Sequence, residues 1–473
     1  MFDFEFDDPI GDGRSNDIVE AYETFLREGG AGFFESDDLE HIATIYFEEG
    51  RLVDALEVVD RHIGQAPGSS DPWMRRGILL NHLDRHAEAL EAYNQALILN
   101  PVDPETLVNR GITLDTLGRS EESLGDFERA LTVDPLASDA LFNLGIALEK
   151  LERYEDAAEV LEQCAEAEPG HPEVWYELGY CYDQLGRLKD SVGAYDRQTD
   201  VDPYAQNAWY NRGIVLNRLG DYKRAVESYD FAVAIDDGFT SAWYNRGNAL
   251  ANLGDAKGAA ESYLKVLEHE DGDAATFYNL GLAYDDLGEY ETAVDYFRRA
   301  VAADPDYADA WYGLGCVLDA QALYTEALAA FGRAIALSPE EAEYWHARAD
   351  TEYNAGHLAE ALHAYTFLVE LDPSNKDAWL DLAETRLEAG FRLEALDAFS
   401  QVVRLDPTSS EAHLRQAWAL ASMGHRESAV RSFRRAAELD PSRADEIRRA
   451  YPDYLSDSRA GGLGRGTTGD ERA

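Results

Sequence analysis

His82 and His86 are four residues apart. At this spacing a helix places two imidazole rings on the same face. Two imidazole nitrogens can begin a metal site, but a zinc site needs at least a third protein ligand. This pair lacks a third ligand or a nearby cysteine, and the chain has no HExxH sequence. We interpret the pair as part of a solvated helix face and predict no metal.

Other motifs for catalysis or cofactor binding are equally weak. The chain has no Walker loop and no GxSxG sequence, and the glycine run at 461–466 follows no predicted strand and opens no helix, so it fails as a dinucleotide motif. Carboxylates are so abundant that pairing any two of them carries no information. We therefore predict no catalytic residue and no cofactor, and we expect the protein not to be an enzyme.

A more regular set of residues could bind a peptide. An aromatic side chain recurs every 34 residues at one position of the sequence period. At the next position, an asparagine recurs with the same spacing in most of these periods. The aromatic row is Phe142, Tyr176, Tyr210, Tyr244, Tyr278 and Tyr312, and the amide row is Asn109, Asn143, Asn211, Asn245 and Asn279. An asparagine amide both donates to and accepts from a peptide bond, and tyrosine adds broad contact with a polar tip. Such rows could hold an extended chain without reading its side chains.

The spacing of 34 residues governs most of the chain. The sequence AWYNRG occurs at Ala208–Gly213 and again at Ala242–Gly247, and twelve periods run from Ser36 to Arg443 without an insertion. Within a period the fourth place is bulky, the eighth is Gly or Ala, the twentieth is small and the twenty-fourth is usually aromatic. Ten periods close on proline, and Asp237 and Asp271 replace it in the other two.

The pattern inside each period predicts two antiparallel helices. Apolar residues three or four places apart define one face of each helix, and a glycine or polar turn such as Leu219-Gly220-Asp221 separates them. We expect the small eighth residue to admit the bulky fourth residue of a neighbouring helix. One short pair cannot bury its own apolar face, so the pairs must stack into a continuous array.

These places closely resemble the tetratricopeptide repeat family over about 408 residues, from Ser36 to Arg443. The resemblance implies an all-α fold, an α-solenoid in which antiparallel helix pairs form a right-handed superhelix. It also implies that first helices line a concave groove, and that the groove binds peptides or partner proteins. The pattern is weaker near the end, where Glu352 and Arg386 replace an apolar eleventh residue and His413 replaces the bulky fourth.

Two interpretations of the tyrosine and asparagine rows remain open. An asparagine row of this kind resembles the one in the superhelix of the O-linked N-acetylglucosamine transferase, where it grips the substrate backbone, although Glu177 interrupts the row here. Alternatively, the rows serve packing between repeats and hydrogen bonding within helices. Arginines at the seventh place are expected to pack their stems and to reach an acid with their heads; they are Arg76, Arg110, Arg212, Arg246 and Arg348.

The sequence divides into three parts. Residues 1–35 form an acidic segment with Phe2, Phe4 and Phe6, followed by a helix in which Ala21 and Phe25 match the small and aromatic places of a second helix. The phenylalanines either cover the end of the array or form a docking motif. Residues 36–443 hold the twelve repeats, and residues 444–473 are expected to form a short capping helix and a disordered tail from Leu455.

Composition narrows the class of partner. The chain has 92 acidic residues against 41 Lys and Arg, giving a formal net charge of −51, which argues against nucleic acid. The acids occur in every repeat, and only six basic residues are lysine, so the charge reflects either adaptation to concentrated salt or a surface for a basic partner. We predict no leader and no membrane insertion, a cytoplasmic location, and free thiols at Cys164, Cys181 and Cys316.

The sequence therefore predicts a noncatalytic interaction scaffold that binds an extended or basic segment of another protein in its groove. A clamp for a terminal carboxylate, as in the cochaperone branch of the family, is excluded because no lysine stands at the matching groove places. Alternatives are an assembly factor that works through its outer wall or by self-association, and, with less support, a substrate-recruiting subunit of a glycosyltransferase. Partner identity and oligomeric state are left open.

Overall fold

The computed structural model describes residues 12–28, 33–442, 447 and 449. Those residues form helices and turns, with no strand among them. The helices are α1 Asp12–Arg27, α2 Ser36–Glu48, α3 Leu52–Gln65, α4 Asp71–His82, α5 His86–Leu99, α6 Pro104–Thr116, α7 Ser120–Val133, α8 Ser138–Lys150, α9 Tyr154–Ala167, α10 Val174–Gln184, α11 Leu188–Val201, α12 Gln206–Arg218, α13 Tyr222–Ile235, α14 Thr240–Asn252, α15 Ala256–His269, α16 Ala274–Asp286, α17 Tyr290–Ala303, α18 Ala308–Ala320, α19 Tyr324–Leu337, α20 Ala342–Asn354, α21 Leu358–Leu371, α22 Lys376–Glu388, α23 Arg392–Leu405, α24 Ser410–Ser422 and α25 Arg426–Leu439.

Each period of the sequence folds as one pair of helices, as predicted. In the period that opens at Gln206, α12 covers the first thirteen places and α13 covers places seventeen to thirty. The turn between them needs a left-handed backbone at the fifteenth place, where Gly220 has φ of 76°. Glycine supplies this conformation in nine repeats, because it has no Cβ to clash with the following carbonyl.

The other three repeats adopt the same turn with a residue other than glycine. Asp84, Glu152 and Ala322 stand at the fifteenth place with φ of 57°, 58° and 59°. A residue with a Cβ is strained in this region, and alanine lacks the short polar side chain that lets aspartate form compensating local hydrogen bonds. The common turn geometry therefore follows from the pairing of the two helices rather than from the residue in the turn.

The core of each repeat is built on a close approach between its eighth and twenty-fourth places. A Cβ added at Gly213 would lie 2.5 Å from the ring of Tyr229, and one added at Gly179 would lie 2.7 Å from the ring of Tyr195. Both rings are 1 % exposed. The small eighth residue thus admits the aromatic side chain of the second helix in its own repeat. Our expectation that it admits the bulky fourth residue was wrong.

The tryptophans at the fourth place instead tie the first helix to the loop before it. The indole Nε1 of Trp209 donates to the carbonyl oxygen of Pro203, six residues earlier, at 3.0 Å, and Trp311 makes the same bond to Pro305. The ring of Trp209 also stacks on Phe231, with centroids 4.3 Å apart. The closing proline therefore ends one repeat and also accepts a hydrogen bond from the next.

The three departures near the end of the array are accommodated. His413 places Nε2 3.2 Å from the carbonyl oxygen of Pro407, which reproduces the tryptophan contact. Glu352 is 5 % exposed and lies 2.8 Å from Nδ1 of His357, and a guanidinium nitrogen of Arg386 donates to the carbonyl of Glu394 at 3.2 Å. Polar side chains at these places find partners locally, so the helix pairs persist.

The chain divides into two compact units, Met1–Ala249 and Leu250–Ala473, and the boundary falls inside α14. In the first unit, buried clusters follow one another from Tyr22 to Ala249. In the second unit, the clusters run from Phe277 to Ile447. Within each unit the fold is the all-α solenoid of stacked antiparallel pairs that the sequence predicts.

The ends of the chain are described only in part. Helix α1 packs on the first repeat through Ile18, Val19, Tyr22 and Phe25. Tyr22 is buried whereas Ala21 is exposed, so the predicted match of Ala21 to the small place of a second helix was wrong.

The predictions for three segments lie outside the described residues. They concern Phe2, Phe4 and Phe6, the glycines at 29–30, and the tail that starts at Leu455. At the other end of the array, Ile447 is described and lies buried in the last cluster. Among the helices of the described residues, none combines the length and the apolar character that crossing a membrane requires.

Candidate functional site

The tyrosine and asparagine rows meet each other between neighbouring repeats of the first unit. The amide nitrogen of Asn211 donates to the hydroxyl oxygen of Tyr176 at 2.9 Å, and that of Asn245 donates to Tyr210 at 3.0 Å. Each bond joins the fifth place of one repeat to the sixth place of the next, a separation of 35 residues. We call such a contact a rung. A rung fixes the register of two adjacent first helices.

The same two places carry a different pair at the start of the array. A guanidinium nitrogen of Arg75 forms an ion pair with Glu40, again 35 residues away. The arginine side chain is 11 % exposed in this contact. The position of the rung therefore recurs while its chemistry changes from an ion pair to a neutral hydrogen bond.

The aromatic rings of the row are half-buried rather than free in solvent. Tyr176 lies edge-on to Tyr195 with centroids 5.8 Å apart, and Tyr210 lies 4.7 Å from Phe239. In the second unit Tyr278 lies 5.0 Å from Tyr307, and Tyr312 stacks on Tyr344 at 4.9 Å. Burial raises the pKa of the Tyr176 and Tyr278 hydroxyls above the ordinary value, so both stay neutral.

The remaining predicted residues have different surroundings. Asn109 is 8 % exposed, and Asn143 donates to the backbone carbonyl of Asp139 at 2.7 Å. Tyr244 and Asn279 are half-buried. The packing interpretation of the rows thus has direct support at Asn211, Asn245 and Asn143, and ligand contact stays a prediction.

Glu177 interrupts the rungs. Its counterpart 35 residues earlier, at the fifth place of the preceding repeat, is Phe142, which has no hydroxyl group. Phe142 packs instead on His171, with ring centroids 4.4 Å apart. Glu177 forms a hydrogen bond with the carboxyl group of Glu149. Burial and the nearby charge of Glu149 raise the pKa of Glu177 to about 8, and burial also raises that of Glu149. The pair therefore holds a shared proton at neutral pH.

Two other acids of the first-helix face in the first unit are neutralised by a cation from the next repeat. Lys150 pairs with Asp115, and Arg218 pairs with Asp183, both across 35 residues. These contacts join the twelfth place of one repeat to the thirteenth of the next, so they form a second row beside the rungs. Glu149 stands at the same twelfth place, but Gln184 follows it in the next repeat. Its partner is the carboxyl group of Glu177 instead.

The seventh-place arginines behave as predicted. The guanidinium of Arg76 donates to Asp60 at 2.7 Å, that of Arg246 donates to Asp230 at 2.6 Å, and that of Arg212 pairs with Asp196. Arg212 also lies 5.6 Å above the ring of Trp209. These three heads reach an acid on the second helix of the preceding repeat. Arg110 instead pairs with Asp126 on the second helix of its own repeat, and Arg348 lies 3.9 Å from Glu352 on its own helix. All five arginines therefore have a structural role.

The histidines His82 and His86 do not share a helix, so the prediction that they lie on one helix face was wrong. His82 ends α4 and His86 begins α5, because the turn between the two helices separates them. The ring of His82 packs on Phe47 at 4.9 Å, and Nδ1 of His86 lies 3.1 Å from the side-chain oxygen of Asn81.

A cluster that the sequence patterns did not reveal lies in the second unit. His346, at a fifth place, puts Nε2 2.9 Å from Oδ2 of Asp381, at the sixth place of the next repeat. This contact is a rung with ionisable partners, and the bond to Asp381 raises the pKa of His346. The sequence does contain one indication of this contact, because His346 and Asp381 are 35 residues apart. A comparison of positions 34 residues apart does not reveal it.

The cysteines match their prediction. All three are free thiols, with Cys164 and Cys181 buried and Cys316 partly buried. Burial raises the pKa of Cys164 to about 11 and that of Cys181 to about 12, so neither is ionised at neutral pH. Buried neutral thiols are poor nucleophiles, and these act as packing residues.

Comparison with known families identifies the class of the protein. Models of the tetratricopeptide repeat match residues 42–104, 108–163, 194–239, 210–275, 278–344 and 346–410. Two further models of the same repeat match residues 148–209 and 410–443. The chain belongs to the tetratricopeptide repeat family. It thus has the general architecture of a protein-interaction scaffold.

Solved structures give weaker similarities. YrrB, described as a TPR protein with an unusual peptide-binding site, is 24 % identical over 40 % of this chain and 96 % of its own, with a TM-score of 0.36. MamA from Desulfovibrio magneticus is 25 % identical over 35 % of this chain and 94 % of its own, with a TM-score of 0.34. The APC/C hetero-tetramer Cut9-Hcn1 is 15 % identical over 86 % and 93 %, with a TM-score of 0.40. No curated protein matches the chain significantly.

Proposed function

We propose that this protein is a noncatalytic scaffold that holds an extended segment of a partner protein against the first-helix face of its repeats. In the first unit the segment would run over Phe142, Tyr176, Tyr210 and Tyr244. In the second unit, Tyr278 and Tyr312 would offer a comparable surface. Membership in the repeat family supports the general role, and the rungs support the particular surface.

The observation that carries the proposal is the hydrogen-bond capacity left in each rung. An asparagine amide has two N–H donors and one carbonyl acceptor. At Asn245 the bond to Tyr210 uses one donor, whereas Asn211 bonds to the hydroxyls of both Tyr176 and Tyr195. The tyrosine hydroxyl accepts that bond and keeps its own proton to donate. Each rung therefore still offers at least the tyrosine O–H donor and the asparagine carbonyl acceptor, which can satisfy the backbone of an extended peptide.

Charge favours a neutral or basic segment over an acidic one. In the first unit Asp115 and Asp183 already have cationic partners, so the carboxyl pair of Glu149 and Glu177 is the strongest candidate there to meet a Lys or Arg side chain. A cation beside the pair would replace the shared proton. An acidic peptide would meet a chain with a net charge of −51 and be repelled.

A photo-crosslinking experiment tests the surface without disturbing a rung partner. Peptides are selected from a random phage-displayed library on the full-length protein in 1 M KCl. Benzoylphenylalanine is then placed at Phe142, or at Glu227, which is exposed on the second helix α13. We expect crosslinks from position 142, and few from position 227.

The control is the melting temperature of both labelled proteins, which should match the unlabelled chain within a few degrees. Crosslinks mainly from position 227 would favour the alternative that the protein acts through its outer wall. Failure to select any peptide, with both proteins folded, would count against peptide binding altogether.

A further inference from the structure

The cluster around His346 in the second unit has the composition and spacing of a metal site. His346 lies on α20, Asp350 follows it one turn later on the same helix, and Asp381 lies on α22. Nε2 of His346 is 2.9 Å from Oδ2 of Asp381 and 3.7 Å from Oδ1 of Asp350. One ligand atom from each residue lies within 4.8 Å of the other two.

These separations are close to those that a bound ion would impose. An imidazole nitrogen or a carboxylate oxygen binds zinc at about 2.0–2.2 Å, so neighbouring ligand atoms in a tetrahedral site lie roughly 3.4 Å apart. The distances from Nε2 of His346 to Asp381 and to Asp350, 2.9 Å and 3.7 Å, lie on either side of this value. An ion could therefore bind with little rearrangement of α20 and α22.

A neighbouring tyrosine holds the carboxylate of Asp350 in place, and a neighbouring acid adds negative charge. The hydroxyl of Tyr365, on α21, donates to Asp350, and its ring lies 6.2 Å from that of His346. Outer partners of this kind orient the ligands of metal sites. The negative charge of Asp319 acts on Asp350 as well, and Oδ1 of Asp319 is buried with no hydrogen-bond partner among the described residues.

We propose that His346, Asp350 and Asp381 bind one divalent transition-metal ion, of the class of Zn²⁺ or Co²⁺, with water completing its coordination. One imidazole and two carboxylates suit such an ion, whereas Mg²⁺ and Ca²⁺ prefer oxygen ligands alone. The ion would join two successive repeats at the position where other repeats use a rung. This inference does not depend on the proposed peptide binding.

The test uses metal titration of the full-length protein and of a variant that copies the rung of another repeat. The protein is freed of metal with a chelator and titrated with CoCl₂ in 1 M KCl, which suppresses loose binding to its acidic surface. The visible absorption of Co²⁺ increases when the ion leaves its octahedral water shell for a protein site of lower coordination number, and calorimetry with ZnCl₂ gives the stoichiometry. We expect one site per chain.

The matched variant carries both His346→Tyr and Asp381→Asn. This change installs the pair of side chains that forms the rung between Tyr176 and Asn211, so the variant is expected to keep its helix content and melting temperature. We expect its affinity for Co²⁺ to fall by at least about 100-fold, because two ligands are removed. His357→Gln is the control, since His357 contacts Glu352 at 2.8 Å in a similar ion pair.

The outcomes separate the proposal from a simple ion pair. Equal Co²⁺ absorption in the wild type and the double variant, or many weak sites of which none depends on His346, would overturn it. If the double variant loses its helix content, Asp350→Asn provides the test, because Asp350 belongs to no rung. That single variant should lower the affinity while leaving the contact between His346 and Asp381 intact.

Discussion

Single residues on the first-helix face determine which contacts join neighbouring repeats. At Glu177 the contact changes from a bond between asparagine and tyrosine to a pair of carboxyl groups. Asn211 and Asn245 donate to a tyrosine, but Glu177 stands above a phenylalanine and turns to Glu149. A buried carboxyl group beside another one keeps its proton, since two adjacent negative charges in a partly dry site are costly. The fold accepts this pair at neutral pH because the proton is shared.

The sign of the pH effect follows from the raised pKa of Glu177. Its pKa is about 8 in the folded chain against an ordinary value of 4.5, so between these pH values the folded state binds a proton that the unfolded state has lost. The site therefore loses stability as pH rises through that window. We expect Glu177→Gln, which keeps an N–H donor for Glu149, to be more stable than the wild type at pH 8.5, by up to roughly 5 kcal/mol, and about equal at pH 4.5.

The measurement is the urea midpoint of both proteins at intervals from pH 4.5 to pH 9. Glu166→Gln is the control, because Glu166 is exposed on α9 and its replacement changes the net charge equally. If the two variants follow the same pH curve, the effect belongs to overall charge and the assignment to Glu177 is wrong.

The sequence shows which residues form the tyrosine and asparagine rows, but it does not show which of them contact each other. The rows of tyrosine and asparagine are visible in a period of 34, whereas the contacts join residues 35 apart, as in Tyr176 and Asn211. The extra residue arises because the fifth place of one first helix faces the sixth place of the next. The packing of two neighbouring first helices decides which positions contact each other. The repeat pattern alone does not contain the one-residue difference between the period of 34 and the contact separation of 35.

Among the elements, the helices and their pairing follow closely from the sequence. The small eighth place, the aromatic twenty-fourth and the closing proline predict both helices of every repeat. The partner of the small residue was assigned wrongly, because apolar periodicity shows which face is buried and not which side chain fills a gap. The contact between Gly213 and Tyr229 lies inside one repeat, whereas the indole of Trp209 reaches back to Pro203.

The turn between the helices of a repeat gives a second prediction, at Ala322 between α18 and α19. Ala322 has φ of 59°, where Gly288 in the preceding repeat has 73°. The left-handed conformation destabilises a folded chain with alanine there by about 1–2 kcal/mol. Replacement by glycine removes this strain, but roughly half of the benefit is lost because glycine has more conformational freedom in the unfolded chain. We expect Ala322→Gly to stabilise the protein by about 0.5–1 kcal/mol.

The reciprocal change is the control. Gly288→Ala should destabilise the protein by about 1 kcal/mol, because it forces a Cβ into the same left-handed conformation. Urea midpoints of both variants are compared with the wild type, since a repeat array need not unfold in a single step. A loss of stability in Ala322→Gly would show that the methyl group makes a contact worth more than the strain.

For the molecule as a whole, charge is the property that the fold leaves unexplained. The chain carries 92 acidic residues against 41 Lys and Arg, and many of the acids in the described residues pair with arginines of their own or a neighbouring repeat. Local pairing cannot cancel a net charge of −51. The excess carboxylates repel one another across the surface, and this repulsion opposes the folded state because the unfolded chain keeps them farther apart.

Salt should therefore stabilise the protein in a characteristic way. The screening length is about 10 Å at 0.1 M salt and about 3 Å at 1 M, so neighbouring carboxylates interact strongly in the first condition and weakly in the second. We expect the melting temperature to rise steeply between 0.1 and 1 M KCl and then to level off. A general effect of salt on apolar burial would instead continue to grow with concentration. A melting temperature that stays constant or falls over the first interval would rule out salt adaptation and leave a surface for a basic partner as the explanation of the acids.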